Sequence, residues 1–219
     1  MMPGIYVDVV EENDVVKKKE VIHLTSAAQT GSGTSIGPFI SSSAASSSSA
    51  TGKPCDRCGY HSGLNGVIST CIDCFLGRDE LCLFEYGVSI PCFLTKVRGG
   101  TCTTASSDSA EVVLYRARYL LENKHVIEYC LSSNNCKDFA IYCKTGQILC
   151  DYPLGTGNRI GHTILMSGAT WLAFGTLGPI GLVCSLASSF YLSRLSVDLL
   201  RANSKEIPVE ELVSRLHSR

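Results

Sequence analysis

Four cysteines are spaced like the ligands of a structural metal site. Cys55 and Cys58 form one C-x2-C pair, Cys71 and Cys74 form another, and twelve residues separate the two pairs. Two thiolate pairs at this separation can close a tetrahedral zinc site, and a tight turn such as CDRCG presents two sulfurs to one metal. Because the four cysteines would fill the coordination sphere, we predict a structural zinc, for which His61 is a substitute ligand that is not needed. The alternative is a chance spacing in a cysteine-rich chain, with CIDCF beginning a buried strand.

Cys136 is placed where a cysteine can act as a nucleophile. It lies in NNCKDFAIYCKTG, where Asn134 or Asn135 can cap a helix whose first turn contains the cysteine. Unsatisfied N–H groups and the positive end of the helix dipole stabilise a thiolate there, and the thiolate is the reactive form. Asp138 opposes this effect, but a helix turns it away from Cys136. The alternative is a small buried hydrophobe at the head of an apolar stripe, which position alone favours because free cysteines are commonly buried.

Several short runs predict strands. The β-branched runs IYVDVV (5–10) and EVIHL (20–24) flank the polar stretch ENDVVKKK, and together they predict a hairpin. The runs LCLFEYGV (81–88) and CFLTKV (92–97) predict two further strands that end at Gly99 and Gly100.

Two helices are predicted from the spacing of apolar residues. The first covers SSDSAEVVLYRARYLLEN, with a stripe made of Ala110, Val113, Leu114, Ala117 and Leu121. The second starts near Asn134, carries the stripe Cys136, Phe139, Ala140 and Cys143, and stops at Gly146. Cys136 therefore belongs to a helix rather than to a loop.

Composition narrows the classes of function. The chain has 219 residues, a formal net charge of −1 and 12 cysteines. The near-neutral charge gives no global basic field of the kind that binds nucleic acid. Residues 1–20 contain no apolar segment behind a basic start, so we expect no secretory signal and a reducing, cytoplasmic location. In that compartment cysteines are metal ligands, nucleophiles or packing residues more often than disulfides, and we assign Cys82, Cys92, Cys102, Cys130, Cys143, Cys150 and Cys184 to packing.

Two long segments differ from the rest in composition. Residues 25–52 are dominated by Ser, Ala, Gly and Thr without charge, which predicts a flexible insertion. Between Arg159 and Arg194 no Asp, Glu, Lys or Arg occurs, and WLAFGTLGPIGLVCSLASSFYL (171–192) is long enough to span a bilayer core, with a kink or break at Gly178 and Pro179. We therefore expect membrane association through this C-terminal tail. The alternative is a buried hairpin of the globular core.

The motifs around these residues resemble the lecithin retinol acyltransferase (LRAT) family. NNCKDFAIYCKTG is similar to the NC motif of its plant members, often called NC-domain proteins. IYVD followed by VIHL resembles the two opening strands of the family, usually written H-x-G-I-Y-V-G and V-V-H-F/L. GVISTCIDCFL, FEYGV and CFLTKVRGGTCTT are also similar to the plant members, so the resemblance covers most of residues 4–147.

The resemblance implies a fold and a chemistry. The fold would be α+β, a permuted papain-like domain of the NlpC type with a small antiparallel sheet, two helices and a zinc-ribbon-like insertion. The family's cysteine attacks an acyl ester, commonly a phospholipid, and the acyl-thioester passes to an amine, an alcohol or water. The nucleophilic position matches Cys136 and the second family histidine matches His23, whereas a lone histidine at a strand end is more often a surface residue.

The sequence departs from the family at its first histidine. That position is Met2, which cannot accept a proton, so the usual general base is absent. Asp8, where the family usually has glycine, is a smaller departure. One hypothesis is a thiol acyltransferase or lipid hydrolase that is impaired or truncated at its N-terminus. The other is a catalytically silent, zinc-stabilised module for protein or membrane interaction.

These expectations divide the chain into two parts. Residues 1–152 form the LRAT-like domain, with the flexible insertion at 25–52 and the zinc-binding insertion at 53–76. Residues 153–219 form the hydrophobic tail with a polar, amphipathic C-terminus. We expect a lipid or acyl ester as substrate, a membrane as partner, no nucleic acid and no organic cofactor. The sequence names no protein partner.

Overall fold

The computed structural model shows an α+β arrangement, as predicted. It describes residues 3–10, 17–25, 54–61, 64–77, 79–96, 101–124, 135–148 and 178–217. The predicted flexible insertion at 25–52 lies almost wholly outside the described residues, and so do Met2, Cys130 and Cys150.

Within the described residues, three strands form one antiparallel sheet in the order β1-β2-β3. They are β1 (Ile5–Val10), β2 (Lys17–Thr25) and β3 (Gly66–Cys71). The predicted hairpin is confirmed by the pairing of Ile5 with Ile22, although β2 begins three residues earlier than expected. The third strand, GVISTC, was not predicted as a strand, and it pairs with β2 so that Ile68 lies opposite His23.

Six helices lie within the described residues. They are α1 (Ile72–Leu76), α2 (Ile90–Thr95), α3 (Ala110–Glu122), α4 (Cys136–Thr145), α5 (Gly178–Ala202) and α6 (Val209–His217).

Two predicted strands are wrong. Most of the run 92–97 belongs to α2, because Ser89 occupies the N-cap position and Pro91 follows in the first turn, a common way for a helix to begin. The run 81–88 is irregular apart from one bridge between Glu85 and Cys102. Leu83 in this run is exposed, so its apolar side chain does not indicate a buried strand.

The two predicted helices are confirmed as α3 and α4. In α3 the buried residues are Val113, Ala117 and Leu120, so the buried stripe is rotated from the predicted one towards Leu120. In α4 the predicted Phe139, Ala140 and Cys143 are buried, together with most of the helix. Both helices pack on the sheet through one apolar cluster.

The C-terminus, predicted from the sequence as a polar, amphipathic end of the tail, contributes to this cluster. Val209, Leu212 and Val213 of α6 are buried in it beside residues of α3 and α4. Tyr142 of α4 donates its hydroxyl proton to the carbonyl of Ile207 at 2.9 Å. The amphipathic pattern of α6 therefore marks a core helix.

Helix α5 also docks onto the domain through its charged second half. Asp198 accepts hydrogen bonds from the Thr103 hydroxyl (2.7 Å), the Thr104 backbone N–H (2.8 Å) and the Thr104 hydroxyl (2.6 Å). Arg194 donates to the backbone carbonyl of Lys96 at 3.0 Å. These bonds fix the end of α5 that leads towards α6.

The first half of α5 has an inverted pattern. Ser185, Ser189 and Ser193 are buried, whereas apolar side chains are exposed, led by Ile180 (74%) and Val183 (67%). By length and composition, α5 is the one helix in the described part of the chain that could cross a membrane. It begins at Gly178, so the predicted kink or break there coincides with a helix start, and residues 159–177 are not described.

Candidate functional site

Cys136 is the first residue of α4, as the sequence predicted. The Asn135 side-chain oxygen accepts hydrogen bonds from the backbone N–H groups of Lys137 (3.0 Å) and Asp138 (3.1 Å). At the other end Gly146 adopts the left-handed conformation, with φ 68°. Both ends of the helix are thus closed by the residues that the sequence indicates, and they fix Cys136 in the first turn.

The environment of the Cys136 thiol corrects one expectation. We expected the helix N-terminus to lower its pKa, but the pKa is raised, chiefly because burial disfavours the thiolate. The backbone N–H of Lys137 acts in the lowering direction, and the charge of Asp138 acts in the raising direction. Cys136 keeps partial exposure, so a reagent can reach it, but at neutral pH the thiol form dominates.

Asp138 is held by a partner that the sequence analysis missed. Arg201 of α5 donates to its carboxylate at 2.6 Å, and both side chains are buried. The pair ties the first turn of the Cys136 helix to a residue 63 positions later in the chain. No local pattern predicts such a pairing; the only signal is an arginine in a segment whose apolar residues repeat at helical spacing.

His23 lies in the middle strand and is buried. Its Nε2 is 3.2 Å from the Thr70 hydroxyl oxygen, so a residue of β3 orients the ring. Nδ1 is buried without a hydrogen-bond partner among the described residues. Burial lowers the pKa of His23 to about 4, which makes the ring neutral at physiological pH.

His23 and Cys136 are brought into one domain, but no described contact joins them. Ile22 and Leu24, on either side of His23, belong to the core cluster that includes α4. Alternation along the strand turns the His23 ring away from that cluster. There it meets Phe75 of α1 in an edge-on contact, with 5.1 Å between ring centroids. The pairing of His23 with Cys136 therefore stays a prediction.

The departure at Asp8 is accommodated at the surface. Its carboxylate accepts the hydroxyl proton of Tyr6 at 2.7 Å, and both residues are exposed on β1. Nothing in this arrangement connects Asp8 to Cys136 or His23.

The four predicted metal ligands come together. The sulfur atoms of Cys55, Cys58, Cys71 and Cys74 all lie within 4.8 Å of one another. The turn that carries the first pair is closed by hydrogen bonds from Gly59 N–H to the Cys55 carbonyl (2.7 Å) and from Cys55 N–H to the Tyr60 carbonyl (2.8 Å).

The acidities of these thiols differ sharply. Backbone N–H groups of Arg57 and Cys58 lower the pKa of Cys55 to about 6, whereas burial raises the pKa of Cys74. At neutral pH the thiolate form of Cys55 is therefore favoured. The donor set and its compactness fit a metal ion such as zinc, and His61 is not among the clustered ligands.

The other cysteines divide by burial. Cys102 and Cys143 are buried, as expected for packing residues, and Cys92 is partly buried. Cys82 and Cys184 are exposed, so the assignment to packing is wrong for these two.

Comparison with known proteins decides the family. The sequence model described as lecithin retinol acyltransferase matches residues 15–149, a range that includes His23, the cysteine cluster and Cys136. The chain belongs to the lecithin retinol acyltransferase family. A curated relative from Arabidopsis thaliana, Protein LEAD-SENSITIVE 1, is 35% identical over 205 residues, which cover 90% of this chain and 78% of the relative.

No solved structure matches the chain. The family assignment thus rests on sequence. Within the matched range of the LRAT family, the structure adds the Asn135 cap, the Thr70 contact and the compact cysteine cluster. Arg201 and α6 lie beyond that range, although they pack against it.

Proposed function

We propose that this chain is an acyl-thioester-forming protein of the LRAT type in which Cys136 takes an acyl group from a lipid or other acyl ester and releases it slowly. The observation that carries the proposal is the position of Cys136, partly exposed at the Asn135-capped start of α4 within the region matched by the family. Backbone N–H groups at such a helix start can also stabilise the oxyanion of a tetrahedral intermediate.

Slow release follows from the groups around the nucleophile. Met2 stands where the motif resemblance places the family's first histidine, and the pKa of the Cys136 thiol is raised by burial. A positioned base typically contributes about two to four orders of magnitude in rate. His23 remains a candidate base, because it is neutral and its Nδ1 lacks a partner among the described residues. We further propose the permuted papain-like arrangement of the family for the domain.

Acylation of Cys136 can be tested directly by mass spectrometry. The full chain is incubated with a short-chain activated ester, and the intact mass and peptide masses are recorded. We expect an acyl adduct on Cys136 that Cys136→Ser abolishes. Cys82→Ser is the matched control, because it removes an exposed thiol outside the site. An adduct that is spread over the exposed cysteines and persists in Cys136→Ser would contradict the proposal.

We propose that the protein contacts membranes from the cytoplasmic side through the apolar half of α5. The inverted pattern supports this, because buried serines and exposed Ile180, Val183 and Leu186 suit lipid better than water. The charge-free part of α5, about 16 residues, is about 24 Å long, shorter than a bilayer core of about 30 Å. Since Arg194 and Asp198 are bound to the domain, we propose insertion from the Gly178 end with the Arg194 end docked.

Membrane contact can be tested with vesicles of neutral phospholipid. The full chain should float with the vesicles, and Ile180→Asp with Val183→Asp should stay in the soluble fraction. Ser214→Asp, which adds a charge at an exposed position of α6, is the control. Flotation that is unaffected by the two aspartates would show that α5 is not the contact.

A second candidate is a catalytically silent module stabilised by zinc at a membrane. The observation that favours it is the set of His23 contacts, which are with Thr70 and Phe75 rather than with Cys136. In this case the wild type would show neither acyl transfer nor an adduct on Cys136, so Cys136→Ser would change neither measurement. Removal of the metal would still lower stability.

A further inference from the structure

The cysteine cluster and His23 are connected through two residues. Thr70, which contacts the His23 ring, directly precedes the ligand candidate Cys71, and Phe75, which also contacts the ring, directly follows Cys74. We propose that a thiophilic divalent metal such as zinc, bound by the four cysteines, positions His23 by holding Phe75 against its ring. The proposal rests on the proposed function only in treating His23 as part of the acyl-transfer site.

The two contacts are held by different means. Thr70 is part of β3 and lies opposite Val21 of β2, so the sheet alone keeps its hydroxyl near His23. Phe75 lies in α1, a helix of five residues without a side-chain cap and without a buried residue. So short a helix is marginal on its own, because nucleation costs more than its few hydrogen bonds return.

Among the residues that the structure describes, few bonds could hold α1 in place. Asp73 of α1 forms an ion pair with Arg57, but both side chains are largely exposed, and such pairs contribute little. Apart from the packing of Phe75, the other attachment among the described residues is the cluster itself, since Cys71 is the residue before α1 and Cys74 lies within it. A metal bound to both would lock the segment that carries Phe75 to the turn at Cys55 and Cys58.

The ring of Phe75 packs closely beside Gly4. A Cβ atom at Gly4 would lie 3.1 Å from the Phe75 ring and 2.6 Å from a Val21 methyl group. The same Cβ would lie 3.3 Å from the Cβ of His23. The phenyl ring thus fills a gap between β1 and His23 that depends on the absence of a side chain at Gly4.

Loss of the metal should affect one contact of the His23 ring and not the other. Loss of the metal should release Phe75 from the ring of His23 while the Thr70 contact and the sheet remain. Phe75 is then a positioning residue, because it would act on the site through His23. Its effect should appear in the signal of the His23 ring, whether or not the protein turns over substrate.

Nuclear magnetic resonance of the full chain, labelled on its histidine rings, can test this. His23→Gln assigns the His23 signal, and metal content is measured in each sample. In the wild-type protein we expect the ring-current shift from Phe75 to be lost when a chelator removes the metal, and to return when zinc is added. Backbone signals of α4 should stay in place throughout.

Two substitutions make the test independent of metal removal. Phe75→Leu keeps an apolar side chain but has no aromatic ring, so in the zinc-loaded protein its His23 signal should already be displaced and should respond little to chelation. Phe75→Tyr keeps the ring and should behave like the wild type. Both should still bind about one zinc per chain.

Two results would overturn the proposal. One is a His23 signal that does not move although the metal has left. The other is a chelation response in zinc-loaded Phe75→Leu that equals that of the wild type. Either result would leave the acyl-transfer proposal standing, since that depends on the adduct at Cys136. A missing adduct, in turn, would not alter the His23 signal.

Discussion

The His23 side and the Cys136 side of the candidate site are held by different kinds of interaction. Around His23 the contacts come from Thr70 and Phe75, neighbours in sequence of a cysteine cluster that fits a metal. Around Cys136 they come from the Asn135 cap and from Arg201, which reaches the first turn of α4 from a distant helix. We propose that one side depends on a metal ion and the other on the C-terminal helices, so the two can be disturbed separately.

Metal removal should give the largest effect, and it should fall on the His23 side. Structural zinc contributes about 10–16 kcal/mol of apparent binding free energy in isolated finger peptides. Chelation of the reduced protein should therefore raise hydrogen-exchange rates in residues 54–61 and 64–77 far more than in α3 and α4. Cys74→Ser should reproduce the effect without a chelator, and a uniform rise over all elements would contradict the separation.

Loss of Arg201 should give the largest effect on the Cys136 side. Arg201→Met leaves the carboxylate of Asp138 buried without its cation, which typically costs about 3–5 kcal/mol. Denaturant unfolding should show this loss, and the double variant with Asp138→Asn should recover part of it. Arg215→Met is the matched control, because its ion pair with Glu211 is exposed and contributes at most about 1 kcal/mol.

The contacts of Arg201 and α6 with the domain make a truncated chain unsuitable as a test of membrane contact. A chain ending near residue 157 would lose Arg201 together with Val209, Leu212 and Val213 of the core. Such a chain would fail to fold for reasons unrelated to membranes. The substitutions in the first half of α5 avoid this problem.

His23 should make stability depend on pH. Its pKa is about 4 in the folded protein against 6.5 in the unfolded chain, so the unfolded chain binds the extra proton. The free energy of unfolding should be fully retained above pH 6.5 and should fall as the pH drops from 6.5 towards 4, by about 2 kcal/mol at pH 5.

The contribution of His23 can be isolated with two variants. His23→Gln should lose this part of the pH dependence, and His217→Gln, which removes an exposed histidine, should keep it. If the wild type and His23→Gln lost stability equally between pH 7 and pH 5, the loss would belong to other groups, such as the thiols of the cluster.

The smallest effect should come from the helix cap. Asn135→Ala removes the acceptor of two backbone N–H groups and should cost about 1 kcal/mol of stability. It should also slow the labelling of Cys136 by a limiting thiol reagent. Without the Asn135 oxygen, the Lys137 N–H is no longer held beside the sulfur, where it lowers the pKa of the thiol. Asn135→Ser retains an acceptor and should restore both the stability and the labelling rate of Cys136. Faster labelling in Asn135→Ala would show that access, not the cap, limits reactivity.

The sequence predicted the local features well. The compact cluster of four cysteines follows from their spacing, and α4 follows from Asn135 at one end and Gly146 at the other, because caps act over a few residues. Ser89 and Pro91 likewise mark the start of a helix. The apolar run after them was given more weight, and α2 was predicted as a strand.

The features that were missed depend on distant parts of the chain. Arg201 meets Asp138 only because α5 and α6 fold back onto α4, and a single sequence gives no pairing between them. The pKa of Cys136 was predicted in the wrong direction for the same reason. The helix start is visible in the sequence, but the burial that outweighs it is made by tertiary packing.

The central claim is that Cys136 accepts an acyl group more readily than it gives one up. The direct test follows one sample of full-length protein by intact mass while product release from an activated ester is recorded, with Met2→His, carrying added upstream residues, in parallel. We predict an adduct on Cys136 that accumulates and clears slowly in the wild type, and clears faster in the Met2→His protein. Rapid turnover by the wild type that His23→Ala abolishes would contradict the claim, because His23 alone would then be a sufficient base.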